Sequence, residues 1–197
     1  MTGRTILCIN DHPSALDADR TEQLIATLPE WRRREALGIR HLQGRRECAL
    51  AYIELQRALR LAFGIDDTSP FAYGAHGKPS LARHPGIHFS ISHCRQAVGC
   101  LLSNRPCGLD IERIRPVNPA LIRHTMNPGE AQAIHSAPSP ELMFARLWTR
   151  KEAVLKLLGT GITDSLHHVL DPENLASIRL RTIDNPLQGY VLTTAIA

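Results

Sequence analysis

The sequence holds no apolar run approaching the roughly 18 residues that a helix needs to cross a bilayer, which removes a helical membrane span from consideration. Aromatic residues make up only 5% of the chain. They form no stacking platform of the kind that binds single-stranded nucleic acid, and no recognition helix stands out. No C-x-x-C pair occurs. The cysteines are Cys8, Cys48, Cys94, Cys100 and Cys107, an odd number at irregular spacing. That excludes a zinc ribbon and a disulfide framework, and fits small buried residues in a reducing compartment. Histidines are plentiful, yet none falls in an H-E-x-x-H pattern, and the adjacent pair His167 and His168 has no helical partner. A G-x-S-x-G nucleophile elbow is missing as well. No segment is of low complexity, and no repeat is visible residue by residue.

What remains is an ordinary globular composition: 197 residues, 43% hydrophobic and 21% charged. That is enough for one large domain or two small ones sharing a core. The net charge is +4 with a pI near 9.0, a surplus that suits an anionic small molecule, an acidic protein or nucleic acid equally. The opening MTGRTILCINDHPSA makes a poor secretory signal and reads better as a first strand, so the cytoplasm is the expected location.

Along the chain, β-formers predict a strand over Thr5–Asn10. Ser14 is a candidate cap for a helix over Ala15–Leu28, and Pro29 sits where a first helical residue would open PEWRRREALGIR. Leu50, Ile53, Leu55 and Leu59 recur at helical spacing and predict a long helix from Arg45 to Phe63, just after Gly44. Residues 64–85 read as loop. Strands follow at Ile87–Ser92, Ala97–Leu102 and Gly108–Ile111. Helices are expected at Pro119–Met126, Pro128–His135 and Pro140–Leu158, then a mixed tail after Gly161, with a β-rich run at Gly189–Ile196. The order implies an α+β fold of two similar α/β halves, residues 1–104 and 105–197, meeting near residue 105.

Four short segments carry chemistry. In Gly108-Leu-Asp-Ile-Glu112 a strand puts Asp110 and Glu112 on one face and Leu109 and Ile111 on the other. Paired carboxylates repel unless a proton or cation joins them, and Mg²⁺ takes oxygen ligands while keeping room for phosphates. The same alternation also suits a strand with a solvated acidic face. In the helix around Trp148-Thr-Arg-Lys-Glu-Ala-Val-Leu-Lys156, Glu152 can supply a third carboxylate and Lys156, one turn on, can reach an anion. An amphipathic helix with an i,i+4 pair would look alike, and a tryptophan such as Trp148 is more often core than cofactor stack. Ser92 and His93 end a strand in His88-Phe-Ser-Ile-Ser-His93, a common place for ligand contacts. Gly77-Lys78-Pro79 presents Lys78 from a stiff turn.

Taken in order, G-K-P, F-S-I-S-H, G-L-D-I-E and W-x-x-K-E-A-x-x-K resemble the 4′-phosphopantetheinyl transferase superfamily, in its surfactin-synthetase-activating (Sfp-like) branch. The motifs span Gly77 to Lys156. The resemblance implies a monomeric pseudo-dimer with its site between the halves. It implies transfer of 4′-phosphopantetheine from coenzyme A to a serine of an acyl or peptidyl carrier protein, an activity of the holo-acyl-carrier-protein synthase type, with Mg²⁺ (replaceable by Mn²⁺) and release of adenosine 3′,5′-bisphosphate.

Position by position, the resemblance makes Asp110, Glu112 and Glu152 the Mg²⁺ carboxylates and Lys156 the lysine on the pyrophosphate. Lys78, Ser92 and His93 fall around the adenosine and its 3′-phosphate. Arg46 matches an arginine on that phosphate, and a second basic position falls at Arg33 or Arg34. Glu130 matches a glutamate near the site, and Lys151, beside the metal glutamate, is implied as a further coenzyme A-binding residue. Glu152 is the first choice as base and Glu130 the second. Two positions depart from the family pattern: Cys94 stands where a serine or threonine often follows, and Thr160 where a lysine often stands. An acidic, helical carrier protein suits the arginine-rich surface, with neither nucleic acid nor membrane as partner. The rival readings are a nucleic-acid-binding module, resting on Trp31-Arg-Arg-Arg34 and the pI, a Mg²⁺-dependent phosphohydrolase, and a coenzyme A-binding regulator.

Overall fold

The computed structural model describes residues 4–161 and 166–197. The first residues of the tail expected after Gly161, 162–165, lie outside it. Strand β1 (Thr5–Asn10) runs where the β-formers place it. Helix α1 (Ala18–Ala26) begins later than expected. Asp17, rather than Ser14, caps it by accepting from the Arg20 amide, and Ser14 sits in a short 3₁₀ turn, Pro13–Ala15. Helix α2 (Glu30–Gly38) takes Pro29 as its extended cap instead of its first residue.

Helix α3 (Leu42–Phe63) starts three residues early and carries Gly44 inside its first turns. A Cβ at position 44 would come within 2.7 Å of Ile39 Cγ2, so the glycine serves packing there and does not mark a break. Gly64, at φ +67°, closes the helix in the left-handed conformation. The expected loop 64–85 contains a two-residue ladder, β2 (Ala72–Tyr73) with β3 (Pro79–Ser80).

Strands β4 (His88–His93), β5 (Val98–Ser103) and β6 (Cys107–Arg113) follow. Helices α4 (Pro119–Thr125), α5 (Pro128–Ser136) and α6 (Pro140–Leu158) match the expected positions closely. The tail holds a short helix α7 (Pro172–Leu175), then β7 (Arg179–Asn185) and β8 (Tyr190–Ile196). The sequence reading missed β7. It is an edge strand whose Arg179, Arg181 and Asp184 mask its alternation, as edge strands commonly carry charge.

Two antiparallel three-stranded sheets result, ordered β1-β5-β4 and β6-β8-β7. Each is built from a strand, a long helix and a hairpin whose last strand inserts next to the first. Helix α3 packs on the first sheet and α6 on the second. The turn between β5 and β6 falls where the two halves were expected to divide. Leu55, Leu59, Phe89 and Leu102 form the core under α3, while Leu101, Leu109, Ile111 and Leu192 fill the space between the sheets.

Strands β4 and β6 meet at the junction without a backbone ladder between them. The Leu109 amide donates to Ser90 Oγ at 2.9 Å and the Ile111 amide to Ser92 Oγ at 3.1 Å. The alternation in F-S-I-S-H therefore has a structural use, since every second residue satisfies a β6 amide that would otherwise be buried without a partner. Gly108 completes the junction. A Cβ there would lie 2.0 Å from the Ala153 carbonyl oxygen, so only glycine lets α6 rest directly on β6.

Candidate active site

That close approach sets Glu152 and Lys156 of α6 over Asp110 and Glu112 of β6. The four side chains line one open cleft of about 390 Å³ with Ser92, His93 and Trp148. Leu109 and Ile111 are buried on the opposite face of β6, so the alternation read from the sequence holds. Lys156 Nζ lies 2.6 Å from Asp110 Oδ1 and donates to Ser92 Oγ at 3.0 Å. Ser92 Oγ in turn donates to Asp110 Oδ1 at 3.0 Å. A second cleft, lined by Lys78, Ser90, Ile91, Glu152 and Lys156 among others, adjoins the first and has about 280 Å³.

The electrostatics are those of crowded carboxylates. Burial first, and then the nearby Asp110, push Glu152 above the ordinary carboxylate range, and Glu112 adds to the effect. Glu112 is raised by burial and by Asp110, although Arg115, a hydrogen bond from Trp148 and Lys156 work the other way. Asp110 Oδ2 and Glu152 Oε1 are buried with no hydrogen-bond partner, which is costly unless something else meets them. Among the described residues no three His, Cys, Asp or Glu are drawn tightly enough to enclose an ion as they stand. Instead, the Lys156 ammonium occupies a cation's place against Asp110. Two orphaned oxygens and three mutually repelling carboxylates fit a hard divalent cation with oxygen preference.

The other residues singled out from the sequence divide into those near the cleft and those drawn away from it. His93 lies at the cleft and is held by Glu47 of α3, Nδ1 to Oε2 3.2 Å. Arg46, beside Glu47, donates from Nε to Thr21 Oγ1 at 3.3 Å. Lys78 lines the adjoining second cleft, and its Nζ donates to the Leu157 and Cys107 carbonyls at 2.9 and 3.2 Å. It ties the loop to the end of α6 and the start of β6 in place of presenting a free ammonium, and burial lowers its pKa.

Three expectations are corrected. Lys151 is fully buried, and its Nζ meets Glu130 Oε2 and the Leu166 carbonyl, both at 2.7 Å. Glu130 also closes a capping box, its carboxylate accepting from the Asn127 amide at 2.8 Å. Neither lines the cleft where the roles implied for them would place them; the pair instead anchors α5 to α6. Arg34 is exposed and pairs with Glu30 on its own helix. The buried arginine of α2 is Arg32, tied to Glu35 and the Cys48 carbonyl.

The sequence reading passed over Ser90 and Glu47. The period-two placement of Ser90 with Ser92 was a usable signal. Glu47 gave none, because its partner lies 46 positions away.

Comparison with known proteins agrees with this arrangement. The family model of the 4′-phosphopantetheinyl transferase superfamily matches residues 106–195, the half that carries all three carboxylates. The 4′-phosphopantetheinyl transferase psf-1 of Bacillus pumilus is 33% identical over 132 residues, 64% of this chain and 57% of that protein. A 4′-phosphopantetheinyl transferase of Bacillus subtilis is 26% identical over 172 residues, 84% of this chain and 76% of its own length. The AcpT 4′-phosphopantetheinyl transferase of Escherichia coli K12 is 38% identical over 124 residues, 57% of this chain and 62% of its own. The aligned part thus spans little more than half of the first of these relatives.

Proposed function

From its similarity to the 4′-phosphopantetheinyl transferase superfamily over residues 106–195 and to relatives in the Sfp-like branch, we propose that the chain is a member of that superfamily and transfers 4′-phosphopantetheine from coenzyme A to a serine of an acyl or peptidyl carrier protein. The observation that carries this reading is the meeting of Asp110, Glu112, Glu152 and Lys156 in one cleft, with two buried carboxylate oxygens left unpartnered.

Asp110, Glu112 and Glu152 are the residues that would hold Mg²⁺, or Mn²⁺ in its place. Such an ion, when bound, neutralises the diphosphate and polarises the phosphorus under attack. The chain's own groups do the rest. Lys156 moves its charge from Asp110 toward the diphosphate, where negative charge builds as the bond to the leaving group breaks. The carrier serine Oγ forms a bond to the phosphorus that bears pantetheine, and the bond from that phosphorus to adenosine 3′,5′-bisphosphate breaks. Glu152 takes the serine proton. Burial and the neighbouring carboxylates hold its pKa above the ordinary carboxylate range, a direction that suits a base. Glu130 is paired with Lys151 away from the cleft, which favours Glu152 over it.

Lys156 and Glu152 come from α6, Asp110 from β6, and His93 from β4, so one chain supplies both walls of the cleft. This supports action as a monomer of two related halves. The five cysteines are all free, and no described helix is long and apolar enough to cross a membrane. Both features accord with a cytoplasmic setting beside coenzyme A and its carriers.

The test is mass spectrometry of fatty-acid, polyketide and peptide carriers incubated with this protein, coenzyme A and Mg²⁺. The proposal expects at least one carrier to gain a single phosphopantetheine on serine. Cleavage of coenzyme A without any carrier would instead identify a phosphohydrolase and overturn it.

A further inference from the structure

We propose that Glu47 is a positioning residue that holds His93 as a hydrogen-bond donor toward the anionic end of coenzyme A, an inference that rests on reading the cleft as a coenzyme A site. Glu47 lies in the second turn of α3, only 8% exposed. One of its oxygens accepts from Gln43 Nε2 at 2.8 Å, and the other meets His93 Nδ1 at 3.2 Å. His93 ends β4, with its side chain 48% exposed, and lines the cleft that holds the carboxylates. Glu47 is therefore the carboxylate that fixes which way an otherwise free imidazole turns.

The chemistry of the ring gives this contact a consequence. A neutral imidazole that donates from Nδ1 to a carboxylate has only a lone pair left at Nε2, and a lone pair repels phosphate oxygen. Only the imidazolium offers an N–H on both sides. That form can pair with an ionised Glu47 across the 3.2 Å contact while keeping its Nε2 N–H for an anion. Glu47 must itself stay ionised to do this. Burial works to raise its pKa, but hydrogen bonds from His93 and Gln43 and the charges of His93 and Arg46 outweigh it and hold the carboxyl below its ordinary range. Arg46 is the other charged group beside the pair. Its Nε is directed at Thr21, which leaves His93 as the direct partner of the carboxylate.

The experiment measures coenzyme A affinity by calorimetry, and KM and kcat by carrier loading, for Glu47→Gln, His93→Gln and the double variant. Gln keeps the shape at position 47 and the contact with Gln43. Each single variant is expected to weaken coenzyme A binding and raise KM by about 10-fold, the order expected for a lost charge-assisted hydrogen bond. The kcat should stay within about twofold. The double variant should bind no worse than His93→Gln alone, because Glu47 acts through the imidazole. Glu47→Asp, which keeps the charge but withdraws it from the ring, should fall between wild type and Glu47→Gln.

Unchanged affinity in a folded Glu47→Gln variant, or losses that multiply in the double variant, would overturn the role of Glu47. Wild-type protein that fails to bind coenzyme A would instead overturn the reading of the cleft itself.

Discussion

The two halves share one plan and differ in what they place on it. In each, a strand is followed by a long helix and a hairpin that returns beside the first strand. Strand β1, however, carries no acidic residue between Thr5 and Asn10, whereas β6 carries Asp110 and Glu112 at the corresponding step. Helix α3 offers the sheet junction Glu47, and that carboxylate is satisfied by Gln43 and His93. Helix α6 offers Glu152, and its Oε1 is left without a partner. The helix carboxylate at the junction is thus closed off in the first half and left chemically open in the second. Buried side-chain atoms without a hydrogen-bond partner occur in both halves, but Asp110 Oδ2 and Glu152 Oε1 belong to carboxylates that share one open cleft, where a ligand can supply what the protein does not.

Breaking the open half at its centre has the largest expected effect. Asp110→Ala or Glu152→Ala should lower carrier loading by at least about 10²–10³-fold, the scale of removing an electrostatic element that acts on the transition state. The melting temperature should hold, which differential scanning fluorimetry beside the loading assay would check. A folded variant with near wild-type turnover contradicts the assignment.

The closed kind of ion pair should respond in the opposite way. Lys151 and Lys156 lie on the same helix, but Lys151 is sealed against Glu130 and Leu166 while Lys156 is a third exposed. Lys151→Met should destabilise the fold by about 3–5 kcal/mol by stranding Glu130, measured by denaturant unfolding. Removing both partners together (Lys151→Met with Glu130→Leu) should recover most of that loss. KM for coenzyme A in the folded fraction should not change.

These two lysines also show what the sequence can and cannot reveal. The alternation of Gly108-Leu-Asp-Ile-Glu112 and the spacing of Glu152 and Lys156 were enough to nominate the centre of the site, because period-two and helical spacing fix which side chains share a face. The long helices and the first four long strands were readable for the same reason. Lys151 and Glu130 were nominated yet lie off the cleft, because neighbours along a helix point in different directions, and the closing partner, the Leu166 carbonyl, comes from a backbone position without a side-chain signature. Lys78 lines the second cleft, yet its ammonium turns to backbone carbonyls, which leave no trace in residue identity. Strand β7 escaped because an edge strand need not hide its charges.

Glycine offers a finer contrast across the junction. Gly108→Ala would drive its Cβ into the backbone of α6, 2.0 Å from the Ala153 carbonyl. At Gly99 of β5 the nearest obstacle is the end of a side chain, Ile111 Cδ1 at 2.9 Å. Both substitutions overpack the interior, on the scale of about 1–3 kcal/mol. Gly108→Ala should cost more and also lower kcat, since it lifts Glu152 and Lys156 away from β6. Unfolding curves and loading rates for the two variants would show it, and equal costs would argue against the close approach as the organising feature.

The smallest effect concerns pH. Glu112 and Glu152 are raised in the folded state, so the folded protein binds more protons than the unfolded chain from about pH 4.5 upward to their folded values. Across that window, stability contributed by these groups is present at the acid end and lost as pH rises. Glu152→Gln should therefore flatten the decline and slightly raise the melting temperature of metal-free protein at neutral pH, while reducing loading. A lower melting temperature at neutral pH would mean that the carboxylates are not in conflict.

The central claim is that carboxylates from β6 and α6 hold one divalent ion that grips a diphosphate. Electron paramagnetic resonance of Mn²⁺ titrated into the protein with coenzyme A tests it most directly, comparing wild type with Asp110→Asn and Glu152→Gln. The account predicts one Mn²⁺ bound per chain in wild type, with binding weakened in both variants although they lie on different elements. Undiminished binding in either folded variant would contradict it.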